Sequence, residues 1–313
     1  MNPAIFSFSL NFDAENASAC FPFIFEGKSV TSKGIPVEER TPVCIVSERS
    51  AGNMVFRGSH GPQRKDFFRS LGIPPEKVYS LIQVHSKDVY TLGSTTGISA
   101  GNPVGNCPDI CSQRCFTESL PTPEDFAREG DGMVSFSPDA FLAITVADCL
   151  PVFLLDTENG FFAVLHSGWK GTGIVLKALE IMQNAGTRTE AVAAVLGPCI
   201  QNCCYRVDEE RAKLFEAEFG SASPYIPGSC GYPLGNVLRH DNTGWYLDLQ
   251  AANARLLTSA GVKHIARCTD CTFTDERLGS FRREGEKSYT RMIAMAGFIR
   301  LPAGYAPESA CAP

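Results

Sequence analysis

Three side chains able to bind a transition metal stand at the ends of apolar segments in this 313-residue chain. Cys149 follows Asp148 inside Thr145-Val-Ala-Asp-Cys-Leu-Pro-Val-Phe-Leu-Leu155, His85 closes Ile82-Gln-Val-His, and His166 opens His166-Ser-Gly-Trp-Lys-Gly171. The chain has five histidines (His60, His85, His166, His240 and His264), and these two each end an apolar run before a turn. Two imidazoles and a thiolate make a familiar zinc set that leaves a fourth tetrahedral position for water or substrate. A zinc ion there would bring the pKa of its water to roughly 7, polarise a substrate oxygen and keep Cys149 deprotonated. Asp148 would then act as an acceptor behind the ligands or as a proton carrier. The same residues admit a plainer reading, with Cys149 a small buried hydrophobe and each histidine simply hydrogen-bonded. Spacing leaves both open, because the three lack the compact intervals of structural zinc motifs.

The elements around these residues decide whether they can meet. Val152-Phe-Leu-Leu155 and Phe161-Phe-Ala-Val-Leu165 flank Thr157-Glu-Asn-Gly160, and Asn-Gly is a strong hairpin signal. A four-residue loop sets Asp156 opposite Phe161 and His166 opposite Pro151; a two-residue turn at Asn159-Gly160 sets His166 opposite Phe153. Either register carries His166 to the end of the hairpin where Cys149 enters, with cross-strand neighbours about 5 Å apart. Residues 78–84 and 88–92 read as two short strands with His85 at the turn between them. Further strands are expected over residues 141–146 and 191–196 and near Val262 and Met292. Helices are expected from Ile174 to near Gly186, from Asp208 to Phe219, and onward from Asp248. This mixture predicts an α+β (mixed α/β) fold. It is read as one layered, sandwich-like domain of hairpin-rich mixed sheets flanked by helices, unlike a purely parallel doubly wound sheet.

Composition narrows the class of partner. With 44% hydrophobic and 20% charged residues the chain is expected to fold rather than stay disordered. A net charge of -6 without a dense basic run argues against nucleic acid. No apolar run reaches the ~18 residues of a bilayer span, so no membrane partner is expected. The first twenty residues lack a basic start, and Asp13 and Glu15 interrupt them, so they read as mature sequence rather than a signal. Thirteen cysteines without an export signal imply reduced thiols in a cytoplasm. From about residue 95 to 130 the composition shifts to Gly, Pro, Ser, Asn and Cys, the mark of a long surface insertion. Its Cys107, Cys111 and Cys115 have no evident fourth ligand for a second metal. Cys199, Cys203 and Cys204 read as packing residues, and Cys268-Thr-Asp-Cys271 as a structural pair.

Several blocks carry a resemblance. Gln83-Val-His85, Asp131-Gly132, Ala147-Asp-Cys-Leu-Pro151, His166-Ser-Gly-Trp-Lys-Gly171, Leu196-Gly-Pro-Cys-Ile200, Cys204-Tyr-Arg-Val207, Asp248-Leu249 and Ser280-Phe-Arg-Arg283 occur in the order found in YfiH/DUF152 proteins. Over about residues 78–299 the chain resembles this family, also called the laccase-domain or multicopper polyphenol oxidase family. The resemblance implies a metal held by His85, Cys149 and His166, with zinc the expected ion and copper an alternative. It also implies phosphorolysis of adenosine, inosine, guanosine and methylthioadenosine, with hydrolytic deamination of adenosine, by a monomer or homodimer acting on purine nucleosides and phosphate. Arginine suits a two-pronged grip on phosphate, which makes Arg282 and Arg283 the first candidates and Lys170 the next. Trp169 could stack on the purine. Residues 1–77 diverge from the family's amino-terminal block, Thr290-Arg291 replaces its Gly-Arg, and the 95–130 insertion is foreign to its core.

Other functions compete with this one. A multicopper oxidase needs on the order of ten imidazoles, and five histidines are too few. A single copper in place of zinc would allow weak oxidase chemistry. Cys149 could instead be the nucleophile of a metal-free hydrolase, with His166 or His85 as its base. An accessory protein acting through a partner, such as a factor editing cell-wall precursors, a role attached to bacterial relatives, is the non-enzyme alternative from the resemblance. The reading chosen is a zinc-dependent purine nucleoside phosphorylase with adenosine deaminase activity, in which Cys149 and Asp148 carry catalysis.

Overall fold

The run Leu150–Asp156 is apolar up to its last residue because neither of its faces meets water: all seven positions are buried. It lies at the centre of a seven-stranded sheet ordered Ala4–Phe8, His264–Cys268, Val192–Leu196, Leu150–Asp156, Phe162–Ser167, Gly132–Ser135 and Val89–Leu92. Pairing is antiparallel around the centre and parallel at the margins, where Ala4–Phe8 pairs with His264–Cys268 and Val89–Leu92 with Gly132–Ser135. A five-stranded sheet is ordered Ser18–Pro22, Thr41–Ser47, Met292–Ile299, Phe141–Val146 and Val78–Tyr79. The computed structural model describes residues 4–25, 28–30, 40–93, 120–220 and 236–300. Cys107, Cys111 and Cys115 lie outside them.

Strand alternation sorts the apolar side chains into layers. Phe153, Leu155, Phe162 and Val164 of the larger sheet pack against Phe21, Val46, Leu142 and Ala294 of the smaller one. On the other face of the larger sheet, Val152, Leu154 and Leu165 meet the helices Ile174–Asn184, Glu209–Phe219 and Leu249–Ser259. On the outer face of the smaller sheet, Ile45, Ile293 and Met295 meet Phe67 and Phe68 of the helix Pro62–Ser70. The result is the layered mixed α/β sandwich expected, in the order helix, sheet, sheet, helix. Asp208 and Asp248 start two of the helices by accepting the N–H groups of Arg211 and Ala251, each at 2.7 Å. Among the described residues no helix is long and apolar enough to cross a membrane.

The central hairpin takes the four-residue loop. Asp156 N–H donates to Phe161 O at 2.8 Å, and His166 pairs with Pro151. Asp156 shapes the turn with its own side chain, whose Oδ1 accepts the N–H groups of Glu158 and Asn159, while Gly160 takes the left-handed φ of 75°.

One expectation needs correction. Val78–Tyr79 and Val89–Leu92 do not form a hairpin; the first runs parallel to Phe141–Val146 in the smaller sheet, the second parallel to Gly132–Ser135 in the larger. His85 therefore lies on a connection that crosses from one sheet to the other. Apolar runs reveal strands, but their partners here are 63 and 43 residues away and leave no local signal.

Candidate metal centre

Residues at the site are held in unusual backbone conformations. Among the described residues three non-glycine residues have positive φ, and two of them are His85 at 61° and Asp148 at 87°. Such conformations persist only where the surroundings enforce them, and they concentrate at functional sites. At Asp148 the turn aims the next side chain, Cys149, at the hairpin edge where His166 ends its strand. One potential ligand atom from each of His85, Cys149 and His166 lies within 4.8 Å of the others, and the two imidazole centroids are 4.9 Å apart. With metal bonds of about 2.0 Å to nitrogen and 2.3 Å to sulfur, the group needs only small side-chain shifts to close on one ion. His166 is buried, Cys149 half-buried and His85 exposed, so the group is open on one side.

Asp131 ties the two histidines together. Its Oδ1 accepts from His166 Nδ1 at 2.8 Å, which leaves Nε2 free to face Cys149. Its Oδ2 accepts the backbone N–H groups of Val84 (3.2 Å) and Ser86 (2.6 Å) and the Ser86 hydroxyl (3.0 Å), bracketing His85 on both sides. Burial works against the charge on Asp131, but these donors outweigh it and hold the carboxyl below the usual range. Gln83 braces the same segment: its Oε1 accepts Thr145 N–H at 2.7 Å and its Nε2 donates to Thr145 O at 2.8 Å. The side-chain amide thus extends the sheet edge by one peptide-like pair.

Electrostatics favour a thiolate. Burial would raise the Cys149 thiol, yet His166 and His85 bring it down to about 6. Burial would lower His166, yet Cys149 and Asp131 push it up to about 9. Without a metal the pair is a thiolate beside an imidazolium, and a cation would take the place of that proton. Gly168 keeps the space open, since a Cβ there would stand 2.9 Å from Cys149 Sγ and 3.5 Å from His85 Cδ2.

A cavity of about 550 Å³ opens over this group. Asp148 lines it and braces its wall. The Asp148 carboxylate accepts Thr272 Oγ1 at 2.6 Å and Arg282 N–H at 2.7 Å, and its carbonyl accepts Ile200 N–H at 2.9 Å. Arg282 lines the cavity beside the Tyr205 ring, 5.3 Å away, with Nη1 donating to Arg206 O. Arg283 does not line it; its guanidinium donates to the carbonyls of Thr272, Phe273, Asp275 and Leu278 and to Glu284, which cross-braces the loop. Lys170 is exposed next to Trp169 and is also outside the lining, although Trp169 is part of it.

Sequence reasoning overlooked three arginines that do line the cavity. Arg57 arrives from the loop before Gly58, Arg211 packs over Trp169 at 4.6 Å, and Arg291 packs over Tyr289 at 4.1 Å. Arg291 belongs to the noted Thr290-Arg291 departure, the one signal that pointed there. Asp131 was visible as a motif residue, but its partners 35 to 47 positions away were not.

Known proteins share this architecture. YlmD from Geobacillus stearothermophilus aligns over 88% of this chain and 98% of its own, at 23% identity and a TM-score of 0.64. YfiH from Bacillus licheniformis aligns over 84% and 97%, at 20% identity and a TM-score of 0.62. In sequence, a purine nucleoside phosphorylase of Corynebacterium glutamicum is 29% identical over 234 residues, 74% of this chain and 77% of its own. One from Deinococcus radiodurans is 36% identical over 174 residues, 55% and 62%. A protein named adenosine deaminase RL5, from an unknown prokaryotic organism, is 31% identical over 169 residues, 50% and 60%. The chain thus spans less than two thirds of the length of the last two. The sequence model described as multi-copper polyphenol oxidoreductase laccase matches residues 61–299, and with the shared architecture this makes the chain a member of that family, the YfiH/DUF152 proteins.

Proposed function

We propose that the chain is a metal-dependent purine nucleoside phosphorylase that also deaminates adenosine. The observation that carries this reading is the cavity itself. In a chain of net charge -6 it is lined by four arginines and one carboxylate, directly over the His85, Cys149 and His166 group. Arg57, Arg211, Arg282 and Arg291 suit a phosphate ion, since guanidinium groups hold its oxygens in pairs. Tyr205, Phe281 and Tyr289 offer ring surface for a purine. The names of the Corynebacterium, Deinococcus and RL5 relatives support the same chemistry.

His85, Cys149 and His166 would hold zinc, or copper in its place, with Asp131 fixing both histidines. Bound there, the ion would supply Lewis acidity toward the purine. Asp148 uses one acceptor position on each carboxylate oxygen for Thr272 and Arg282, and the remaining lone pairs are available to a proton or a ribose hydroxyl in the cavity.

The test is incubation of purified protein with adenosine, with and without phosphate. Adenine and ribose 1-phosphate should form with phosphate, and inosine without it. No base, ribose 1-phosphate or inosine at any metal loading would sink the proposal. One observation favours a second reading: Cys149, His166 and Asp131 also have the order of a thiol nucleophile, its base and the base's orienting acid. Activity that survives chelators but not iodoacetamide would select it. The family's laccase description meets the shortage of histidines, with His60 in the loop before Pro62–Ser70, His240 in the strand Leu238–Asp241 and His264 in the strand His264–Cys268, all apart from the site.

A further inference from the structure

We propose that Cys203, Cys204 and Cys271 form a second metal site, a three-thiolate site for a soft monovalent ion, Cu⁺. Sequence reading assigned these cysteines to packing and to a structural pair, but the fold brings them to one place. Their sulfurs all lie within 4.8 Å of one another, and those of Cys203 and Cys204 are 3.3 Å apart. Three sulfurs around one ion at about 2.3 Å would stand roughly 4 Å from each other. That separation lies within the 4.8 Å limit of the group, and the Cys203–Cys204 pair, at 3.3 Å, needs to open slightly to reach it. Among the described residues no fourth His, Cys, Asp or Glu joins the group. Three thiolates without a fourth ligand suit Cu⁺, which thiolate sites select and which accepts three-coordination, better than four-coordinate zinc.

The thiols are presented by two braced turns. Cys204 and Tyr205 N–H both donate to Gln201 O at 2.9 Å, and Thr274 and Asp275 N–H donate to Cys271 O at 3.1 and 2.9 Å. The turns are joined by Thr272 N–H donating to Cys199 O at 3.1 Å, and Gln201 N–H points at Cys271 Sγ at 3.4 Å. An ion would therefore meet an arranged site. Access is from a second cavity of about 750 Å³, lined by Cys203 and Cys271 and sharing no residue with the first. Cys203 is exposed, Cys204 half-buried and Cys271 buried. On entry of the ion each thiol gives up its proton to solvent and no electron is transferred.

The experiment uses the full chain carrying Cys149→Ala and His166→Ala, reduced and stripped of metal, so that the first site does not compete. It is titrated with Cu⁺ against a chromophoric chelator, and with Zn²⁺ in parallel. The expected result is one tightly held Cu⁺ per chain, with X-ray absorption showing only sulfur neighbours at about 2.3 Å. Cys203→Ser should weaken retention roughly tenfold or more, and bound Cu⁺ should shield Cys203 from iodoacetamide. Because Cys203 is exposed, this variant keeps the fold even if Cys271→Ser does not. Replacing Cys107, Cys111 and Cys115 by serine should change nothing. The proposal is overturned by uptake indifferent to Cys203→Ser, by uptake lost with the three insertion cysteines, by uptake of zinc alone, or by nitrogen or oxygen neighbours around copper.

Discussion

Asp131 does at the residue scale what no ligand could do for itself. One of its oxygens fixes the ring of His166, the other fixes the backbone on both sides of His85, and the carboxyl itself is buried. Replacing it with Asn removes an acceptor from at least one of these partners. Asp131→Asn should therefore cut metal affinity roughly 10- to 100-fold with little change in far-UV circular dichroism; chelator competition measures the first. Unchanged affinity would mean that the histidines are held by packing alone. Gly168→Ala tests space rather than bonding, because a methyl 2.9 Å from Cys149 Sγ must displace the thiol. Metal content and nucleoside turnover should fall together in that variant, and a fully loaded, active Gly168→Ala would show that the thiol has room to move. Cys149 and His166 were legible from the chain because a hairpin with an Asn-Gly loop has few registers. Asp131's role and Arg57, Arg211 and Arg291 were not, since each depends on contacts between segments distant in sequence.

At the scale of elements, a buried polar cluster holds the loop carrying Arg57 against the smaller sheet. Arg64, in the helix Pro62–Ser70, donates to Met54 O and Ser80 Oγ at 2.7 Å and to His60 Nδ1 at 3.2 Å, between the rings of Phe56 and Phe68. His60 Nε2 in turn contacts Val78 O at 2.7 Å, which makes it the protonated nitrogen of a neutral ring. Burial, with the charge of Arg64 added, lowers His60 from 6.5 to about 4. The unfolded chain therefore takes up this proton first. Stability from His60 is fully present above pH 6.5 and is lost as pH falls toward 4, by roughly 3 kcal/mol. Urea midpoints measured across that range should decline, and His60→Asn, although weaker at neutral pH, should decline less. Equal acid slopes in the two proteins would remove His60 from the account. The strand runs themselves were easy to recognise, because burial on both faces leaves them apolar throughout. Their pairing was harder: that the runs before and after His85 belong to different sheets follows from parallel partners far along the chain.

For the whole molecule, the location of the three candidate ligands matters more than their identity. Cys149 precedes the central strand of the larger sheet, His166 ends that strand's hairpin partner, and His85 sits on the crossing between the two sheets. An ion held by all three binds the folded chain and is released whenever these elements separate. Its binding energy is then added to the stability of the entire sandwich rather than to one loop. At a free concentration one hundred times Kd this contributes about 2.7 kcal/mol, which for a chain of this size raises Tm by roughly 4 °C. Scanning calorimetry of the loaded and stripped protein should show that shift as a single displaced transition. Asp131→Asn should shift less at the same ion concentration, and Cys149→Ala should not shift through this site at all. Cys203→Ser, remote from it, should keep the full zinc-induced displacement. A loaded protein whose main transition stays put when the metal is removed would place the ion on a segment that unfolds by itself, and the joining of the two sheets at His85 would then have no part in holding it.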